Sequence, residues 1–277
     1  MRPLLAVDGD SLAHRAFHAL PKSITGSQGK PSNMLLGFAN MLLSVWEAEE
    51  PRAVFVGFDS IGHPTYRHEL LPGYQGGRDF PPELTSQLDQ LPEFVEALGF
   101  AWAKEAGYEA DDFLAAAVMT EDERGGETLV LTGDRDLFQL ASKKTTILMP
   151  KRGVSDLQRI GPDEVRERYG VDPEQVADFV ALRGDSSDKI PGAKGIGESR
   201  AATILREHET LDAAIEAGVF QAQADELRKY ARITRLQYHA PMPDLPDAEP
   251  NWNEAAEVVA RWGLGNLEGR LRERADR

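Results

Sequence analysis

The chain has 277 residues, no cysteine and a formal net charge of −15, from 31 basic and 46 acidic residues. The lack of cysteine excludes a disulfide framework and thiolate chemistry, and no run reaches the roughly 18 apolar residues of a membrane span. A strand-like segment begins at Leu4 without a signal-peptide pattern, so we expect a cytoplasmic protein with no membrane partner. The acidic balance argues against a nucleic-acid partner unless the basic residues cluster apart from the acidic ones.

Apolar, β-branched segments alternate with helical segments up to Gly161. This order predicts an α/β domain with a doubly wound, mostly parallel sheet. One helix is predicted over Leu84–Leu98 and another from Asp134, directly after a strand. The last strand is expected at an edge of the sheet. The predicted strands are Leu4–Asp8, Ala53–Phe58, Phe100–Lys104, Leu129–Leu131 and Thr145–Met149.

After Gly161 the strand signal stops and only helical spacing remains. We therefore predict two domains, residues 1–161 and an all-helical domain of residues 162–277. The proline-rich stretch Pro241–Pro250 is expected to connect to a C-terminal helix pair within the second domain. The predicted helices are Pro162–Tyr169, Pro173–Arg183, Glu198–His208, Leu211–Ala217, Ala222–Tyr238 and Glu254–Trp262.

A polar stretch rich in glycine and proline interrupts the periodicity over Gly62–Pro82. It carries aromatic residues interleaved with basic ones, among them Tyr66, Arg67 and Tyr74. A long irregular insert in a compact domain is usually a functional loop, and this composition is typical of single-strand binding. A solvated surface loop is the alternative interpretation.

Acidic residues stand at the ends of three predicted strands. Asp8 ends the first, Asp59 follows the second, and Asp134 and Asp136 follow the fourth. Ligands of an open α/β sheet bind beyond the carboxyl ends of its strands, so these side chains are expected to share one site. Taken alone, the pair Asp134 and Asp136 is more typical of helix capping.

Two further acidic segments strengthen the case for a site. Glu109, Asp111 and Asp112 open a predicted helix, and Asp185 and Asp188 lie in a loop between two predicted helices. Carboxylates that converge repel one another and need cations, and an all-oxygen ligand set suits Mg²⁺ or Mn²⁺. The expected chemistry is two-metal hydrolysis of a phosphodiester.

A glycine-rich segment, Ile190–Gly197, lies between two predicted helices. Backbone amides and a helix N-terminus delivered to one spot form a phosphate cradle, and the flanking helices make it a helix-hairpin-helix that holds a DNA backbone without reading sequence. A structural tight turn is the alternative. Basic residues cluster here and downstream, so the negative net charge is only a weak argument against a nucleic-acid partner. These residues are Arg200, Arg206, Arg228, Lys229, Arg232 and Arg235.

Together these motifs resemble the bacterial 5′-3′ exonuclease and flap endonuclease family, which includes the N-terminal nuclease domain of bacterial DNA polymerase I and phage 5′ nucleases. They occur in family order over residues 4–245. The matching segments are Val7–Gly9, Phe58–Asp59, Tyr66–Glu69, Tyr74–Arg78, Gly107–Asp112, Leu131–Asp136, Gly184–Asp188 and Pro191–Gly197.

The resemblance implies a PIN-like nuclease core with a helical arch at about residues 62–82, followed by a DNA-binding domain with its helix-hairpin-helix at about residues 173–208. It implies a monomeric hydrolase that cleaves DNA at 5′ ends and 5′ flaps, RNA-primed ends included, during replication and repair at the nucleoid. It also implies a functional link to a separate DNA polymerase.

The resemblance further assigns residues to roles. Asp8 and Asp134 are implied to be catalytic together with Arg78, which meets the scissile phosphate. The first Mg²⁺ (or Mn²⁺) ion is implied to lie among Asp8, Glu109, Asp111, Asp134 and Asp136, and the second at Asp185 and Asp188, with Asp59 and Asp112 as direct or water-mediated ligands.

The resemblance also implies two sets of DNA contacts. Tyr74, Gln75 and Arg78 of the arch contact the 5′ strand, with Tyr74 stacking on a base. The downstream duplex, together with a monovalent cation such as K⁺, is implied to bind at Gly192, Lys194, Gly195, Gly197, Ser199 and Arg200.

Two residues depart from the family pattern. Gln75 stands where a lysine is usual, which removes a cation that could stabilise the transition-state phosphate, and Lys189 stands where an asparagine is expected. Gln75 leaves open a second hypothesis, a branched-DNA-binding protein whose catalysis has decayed, although the full set of acids favours the nuclease. A third hypothesis, a small metal-dependent ribonuclease of related fold, does not explain the helix-hairpin-helix.

Overall fold

A six-stranded sheet lies at the centre of the computed structural model, which describes residues 2–77, 80–151 and 153–276. The strands are β1 (Leu4–Asp8), β2 (Ala53–Gly57), β3 (Ala101–Ala103), β4 (Thr128–Leu131), β5 (Thr145–Pro150) and β6 (Leu157–Ile160). They lie in the order β3-β2-β1-β4-β5-β6, and β1 to β5 are parallel. The predicted doubly wound, mostly parallel sheet is confirmed.

The sheet edge differs from the prediction. β6 pairs antiparallel with β5, with Leu148 opposite Arg159, so Thr145–Met149 is an inner strand. β6 is short and carries the polar residues Gln158 and Arg159, and therefore lacks the apolar run by which the other strands are recognised.

Helices cover both faces of the sheet: α1 (Gly9–Ala19), α2 (Asn33–Glu49), α3 (Tyr66–Leu70), α4 (Pro82–Leu88), α5 (Leu91–Ala97) and α6 (Ala110–Glu123). The single helix predicted over Leu84–Leu98 is wrong. It is two helices, α4 and α5, because Pro92 has no N–H to donate to the preceding turn and instead occupies the first turn of α5. The helix predicted from Asp134 is a single 3₁₀ segment, Asp136–Leu140.

After Gly161 the described chain has helices and no strands, as predicted: α7 (Pro162–Tyr169), α8 (Val176–Arg183), α9 (Glu198–His208), α10 (Leu211–Glu216), α11 (Ala224–Thr234), α12 (Trp252–Trp262) and α13 (Gly265–Ala275). The predicted helices from Pro173 and Ala222 begin later than expected, each after a 3₁₀ turn. The second also ends at Thr234 and not at the predicted Tyr238. Within the described ranges, no helix has the length and apolar character needed to cross a membrane.

Side chains of β1 alternate between two apolar cores, as expected for a strand covered on both faces. Leu4 and Ala6 face the core formed with α6 and helices α7 to α11, whereas Leu5 and Val7 face the core formed with α1, α2, α4 and α5. Helices α12 and α13 pack into this second core, through Val259 and Leu267 among others. The prediction that groups them with the helical half therefore needs correction; the boundary at Gly161 stays a prediction.

An extended segment, residues 235–251, carries the chain back to the sheet and matches the predicted connector. Arg52 holds it in place. The Arg52 guanidinium is buried, pairs with the buried Glu121, and donates to the Leu245 carbonyl at 2.9 Å and to Asp247 at 2.9 Å. After this segment, α12 and α13 lie on the face opposite α7 to α11.

Candidate functional site

The predicted acidic site lies where the winding direction of the sheet reverses. In the observed strand order, connections run from β1 outward to β2 and β3 on one side and to β4 and β5 on the other, which opens a crevice at the carboxyl ends of β1 and β4. Asp8 is the last residue of β1, and its carboxylate interacts electrostatically with Asp59 and Asp134, which follow β2 and β4. In the structure the three strand ends thus bring their acids within electrostatic range of one another.

Asp8 is fixed by two hydrogen bonds. Its Oδ1 accepts from the Ser11 amide at 2.9 Å, and its Oδ2 accepts from the Thr132 hydroxyl at 2.8 Å. The Thr132 Oγ1 in turn accepts the Asp134 amide at 2.9 Å, so one threonine positions both aspartates. Burial raises the pKa of Asp8 to about 7, because water no longer solvates the charged form and Asp59 and Asp134 add repulsion.

The start of α6 supplies a second group of acids. The Asp59 Oδ1 accepts the Ala110 amide at 2.7 Å, which joins the end of β2 to this helix. Glu109 accepts from the Thr65 hydroxyl and the Tyr74 hydroxyl, both at 3.1 Å, and burial raises its pKa to about 7. Burial, with repulsion from Asp134 and Asp8, also raises the pKa of Asp111.

Asp136 connects this cluster to the helix-hairpin-helix loop. Burial raises its pKa, and it is repelled by Asp134, Asp188 and Asp185. Burial would also raise the pKa of Asp185, but hydrogen bonds from Ser187 (N–Oδ1 2.7 Å) and from the Asp188 amide, with the guanidinium of Arg183, lower it. Acids from the α/β half and from the helical half therefore meet in one electrostatically coupled site.

Asp112 is not available as the predicted metal ligand. Its carboxylate is fully buried and forms a bidentate ion pair with the Arg67 guanidinium, with both N–O distances 2.7 Å. It also accepts the amides of Glu109 at 3.1 Å and Gln237 at 2.9 Å. With both oxygens committed, Asp112 serves to anchor the base of the arch to the start of α6 and the end of α11.

Asp10 is a member of the site that the sequence analysis missed. Its buried Oδ2 accepts the Asp59 amide at 2.7 Å, and burial, with repulsion from Asp59 and Asp8, raises its pKa well above the usual range. Its position two residues after Asp8 could have indicated that it belongs to the acidic site. An acid in the first turn of a helix is equally explained by helix capping, however, so the sequence alone does not decide.

The donor chemistry of the cluster fits hard divalent cations. The donors are carboxylate oxygens without Cys or His, and they repel one another, a repulsion that bound cations would relieve. No three Asp, Glu or His side chains in the part of the chain that the structure describes stand close enough to hold one ion. Coordination would therefore require side-chain adjustment.

We expect the metal-free chain to lose stability as the pH rises. The pKa of Asp8 moves from 3.8 to about 7, and that of Glu109 from 4.5 to about 7, so the folded state binds protons more tightly than the unfolded state. Their contribution is fully present below about pH 4 and is lost as the pH rises through about 7. Thermal unfolding in chelator should show a falling Tm over this window, and Mg²⁺ should restore the Tm at the alkaline end. A Tm in chelator that stays level or rises would contradict the expectation.

The arch residues occupy unexpected places. Tyr74 was expected to stack on a base, but its ring is 5% exposed and packs edge-on against His68, so it is not available for stacking in this structure. The Gln75 side chain donates to the Tyr74 hydroxyl at 3.1 Å, and its amide donates to the Asp188 carbonyl at 3.3 Å. Arg78, predicted to meet the scissile phosphate, lies outside the described residues.

The predicted helix-hairpin-helix is formed by α8, the loop Gly184–Gly197 and α9. Gly192 is buried with φ of 75°, and a Cβ there would lie 2.5 Å from the Gly184 nitrogen, so its role is to close the hairpin rather than to contact DNA directly. The other predicted contact residues are exposed on the hairpin and the first turn of α9: Lys194, Gly195, Gly197, Ser199 and Arg200.

Several of the basic residues predicted to balance the charge are partly neutralised. Arg228 pairs with Asp212 at 2.8 Å, and Arg235 pairs with the buried Asp178 at 2.8 Å. Lys194, Arg200 and Arg232 are exposed. The helical half as a whole is not basic, because residues 162–277 carry 23 acidic and 16 basic residues. The predicted segregation of charge between the two halves is therefore wrong, and only a local group of exposed bases remains.

Similarity to known proteins agrees with this geometry. Residues 3–170 match the 5′-3′ exonuclease N-terminal resolvase-like domain, and residues 171–246 match the 5′-3′ exonuclease C-terminal SAM fold. DNA polymerase I of Bacillus subtilis is 39% identical over 217 residues, which are 78% of this chain and 24% of that protein. The thermostable DNA polymerase I of Thermus thermophilus is 38% identical over 277 residues, 95% of this chain and 32% of that protein. The chain thus spans about a quarter to a third of these relatives.

Solved structures share the fold at low sequence identity. The 5′-exonuclease of bacteriophage T5, with divalent zinc ions bound, superposes with a TM-score of 0.70 at 20% identity over 98% of this chain and 99% of that one. The catalytic core of Rad2 in complex with a DNA substrate gives 0.61 at 15% identity over 97% and 92%. From its two matched domains, the chain belongs to the 5′-3′ exonuclease family.

Proposed function

We propose that the chain is a structure-dependent 5′-3′ exonuclease and 5′-flap endonuclease that hydrolyses DNA phosphodiesters with two divalent ions, Mg²⁺ or in its place Mn²⁺. The observation that supports it best is the convergence of acids from the ends of β1, β2 and β4, the start of α6 and the helix-hairpin-helix loop. A surface that needed only to bind DNA would gain nothing from buried carboxylates that repel one another and repel phosphate.

The proposed roles follow the geometry. Asp185 and Asp188 would hold the second ion. Asp59 would contact the ions through water, in the outer coordination shell. Bound ions supply activation of water and stabilisation of the leaving oxygen. The first ion would be held by the residues of the sheet edge and α6: Asp8, Glu109, Asp111, Asp134 and Asp136.

The remaining parts of the chain orient the substrate. Thr132 fixes Asp8 and the backbone of Asp134, so these groups need little reorganisation when phosphate arrives. Lys194 and Arg200, beside the N-terminus of α9, would hold the downstream duplex backbone, and K⁺ at the hairpin is part of the proposal. Arg78 stays the proposed contact to the scissile phosphate.

The wider role is also proposed. Relatives named DNA polymerase I share this family, which supports removal of primers or flaps during replication and repair, at the nucleoid and as a monomer. A separate DNA polymerase is the proposed functional partner. RNA-primed 5′ ends belong to the same substrate class.

A direct assay tests the proposal. A 5′-labelled flap duplex and a matched duplex with a recessed 5′ end are incubated with the protein in Mg²⁺, in Mn²⁺ and in chelator. Metal-dependent release near the flap junction is expected. Tight binding without cleavage in any metal would overturn the nuclease and favour the decayed, branched-DNA-binding protein that Gln75 suggests.

We expect Gln75→Lys to raise the cleavage rate. Position 75 is held beside Asp188 through its amide, and an ammonium there would offset negative charge that builds up on the phosphate. Single-turnover rates on the flap substrate measure the effect, with Gln75→Met as an uncharged control of similar length. A rate equal to that of the wild type would show that another residue already supplies the charge.

A further inference from the structure

A cavity of about 620 Å³ lies beside the carboxylate cluster but outside it. It is bounded by the start of the arch, the loop before α6 and the end of α11, and its walls include Thr65, Tyr66, Tyr108, Arg232 and Arg235. Its volume lies in the range of sites that bind small ligands. The Thr65 hydroxyl donates to the Glu109 Oε1 at 3.1 Å, so a residue of the cavity wall touches the cluster directly.

Both tyrosine rings of the cavity are held by other parts of the chain. The Tyr66 hydroxyl donates to the carbonyl of Arg235 at 3.1 Å, and the Arg67 guanidinium lies 4.8 Å from the centre of its ring. The Tyr108 ring packs against Phe113, with 5.7 Å between the ring centres. Rings that are already fixed lose little conformational entropy when a flat ligand stacks on them.

The cavity also presents positive charge. Arg232 is exposed, and its guanidinium forms no hydrogen bond or ion pair with any residue in ranges 2–77, 80–151 and 153–276. Arg235 is half exposed but shares its charge with the buried Asp178 at 2.8 Å. Glu69 is an opposing acid on the wall. Arg232 is therefore the group most available to an anion.

We propose that this cavity is a subsite for one unpaired nucleotide of a 5′ single strand. Its phosphate binds Arg232, and its base stacks on Tyr108, because the Arg67 guanidinium already lies over the Tyr66 ring. Aromatic rings beside arginine are the usual elements of sequence-independent single-strand binding, because every base has a stacking face. The inference rests on the proposed function and adds a contact that a substrate with a free 5′ strand makes and a flapless duplex does not.

Two variants and two matched controls test the subsite. Arg232→Ala removes the charge and Tyr108→Leu removes a ring. Arg272→Ala removes an exposed charge on α13, outside the cavity and outside the basic cluster, and Tyr108→Phe keeps the ring. Binding of a labelled oligo-dT strand is measured by fluorescence anisotropy in chelator, and kcat/KM is measured on a long-flap and a flapless duplex. Each test variant should weaken oligo-dT binding about tenfold, which corresponds to about 1.4 kcal/mol.

The same loss should appear in kcat/KM for the long flap and be absent for the flapless duplex, with both controls near the wild type. Unchanged oligo-dT binding, or equal losses on both duplexes, would overturn the subsite while leaving the nuclease intact. A wild type that cleaves neither duplex but binds oligo-dT through Arg232 and Tyr108 would support the subsite and overturn the nuclease. The two proposals therefore fail separately.

Discussion

Asp134→Ala should abolish cleavage while leaving DNA binding intact or improved. Asp134 lies at the centre of the coupled acids, beside Asp8, Asp111 and Asp136, and its removal takes away a proposed ligand and a charge that repels phosphate. Metal ions at such sites supply several kcal/mol of transition-state stabilisation, so a rate loss of about 10³-fold or more is expected. Single-turnover cleavage in Mg²⁺ and binding in chelator, both on the flap duplex, measure the two effects.

The loss must be separated from local unfolding. The Asp134 Oδ1 accepts the Asp136 amide at 2.8 Å, and Asp134→Asn keeps an oxygen for this bond while removing the charge. We expect the asparagine variant to match the alanine variant in rate and the wild type in thermal stability. Asp122→Ala, which breaks an exposed pair with Lys144, is the matched control and should cleave normally. An Asp134→Asn variant that cleaves at the wild-type rate would falsify the assignment.

The local sequence pattern, apolar strands that end in acids, was enough to predict at which edge of the sheet the acidic site lies. Asp8, Asp59 and Asp134 each stand at the end of an apolar strand, and parallel pairing brings such ends to one edge regardless of the details of packing. The glycines of the hairpin gave a similarly local signal. Gly192 adopts a positive φ and admits no side chain, which the sequence pattern shows, although its burial rules out the DNA contact.

Residues whose partners lie far along the chain were not predictable in this way. Tyr74 has the composition of a stacking residue, but the structure buries it against Glu109 and His68. Helices α12 and α13 bury their apolar residues in the second core, beside α5, and their periodicity does not show which face of the sheet they cover. In each case, tertiary packing decides between two roles that are equally compatible with the local sequence.

The same reasoning applies to Asp112, which stands next to a proposed ligand but acts as a structural anion. Arg67 and Asp112 are almost wholly buried, and Arg67 also donates to the Ile233 carbonyl at 2.9 Å, so the pair ties the arch to α6 and α11. Arg67→Leu leaves the Asp112 carboxylate buried without its cation. We expect a loss of about 3–5 kcal/mol in the free energy of unfolding, measured by urea denaturation.

A matched control separates burial from charge. Arg166→Leu breaks two exposed pairs, with Asp163 at 3.0 Å and with Asp172 at 2.8 Å. The loss in the free energy of unfolding should stay below about 1 kcal/mol per exposed pair. For Asp112→Asn we expect a stability loss comparable to that of Arg67→Leu, but Mg²⁺ affinity close to the wild type under conditions in which the variant is folded. Asp111→Asn should do the reverse, because relief of repulsion spares the fold while a proposed ligand is lost. If Asp112→Asn instead weakens Mg²⁺ binding and spares the fold, Asp112 is a metal ligand, and Arg67 must release it when the ions bind.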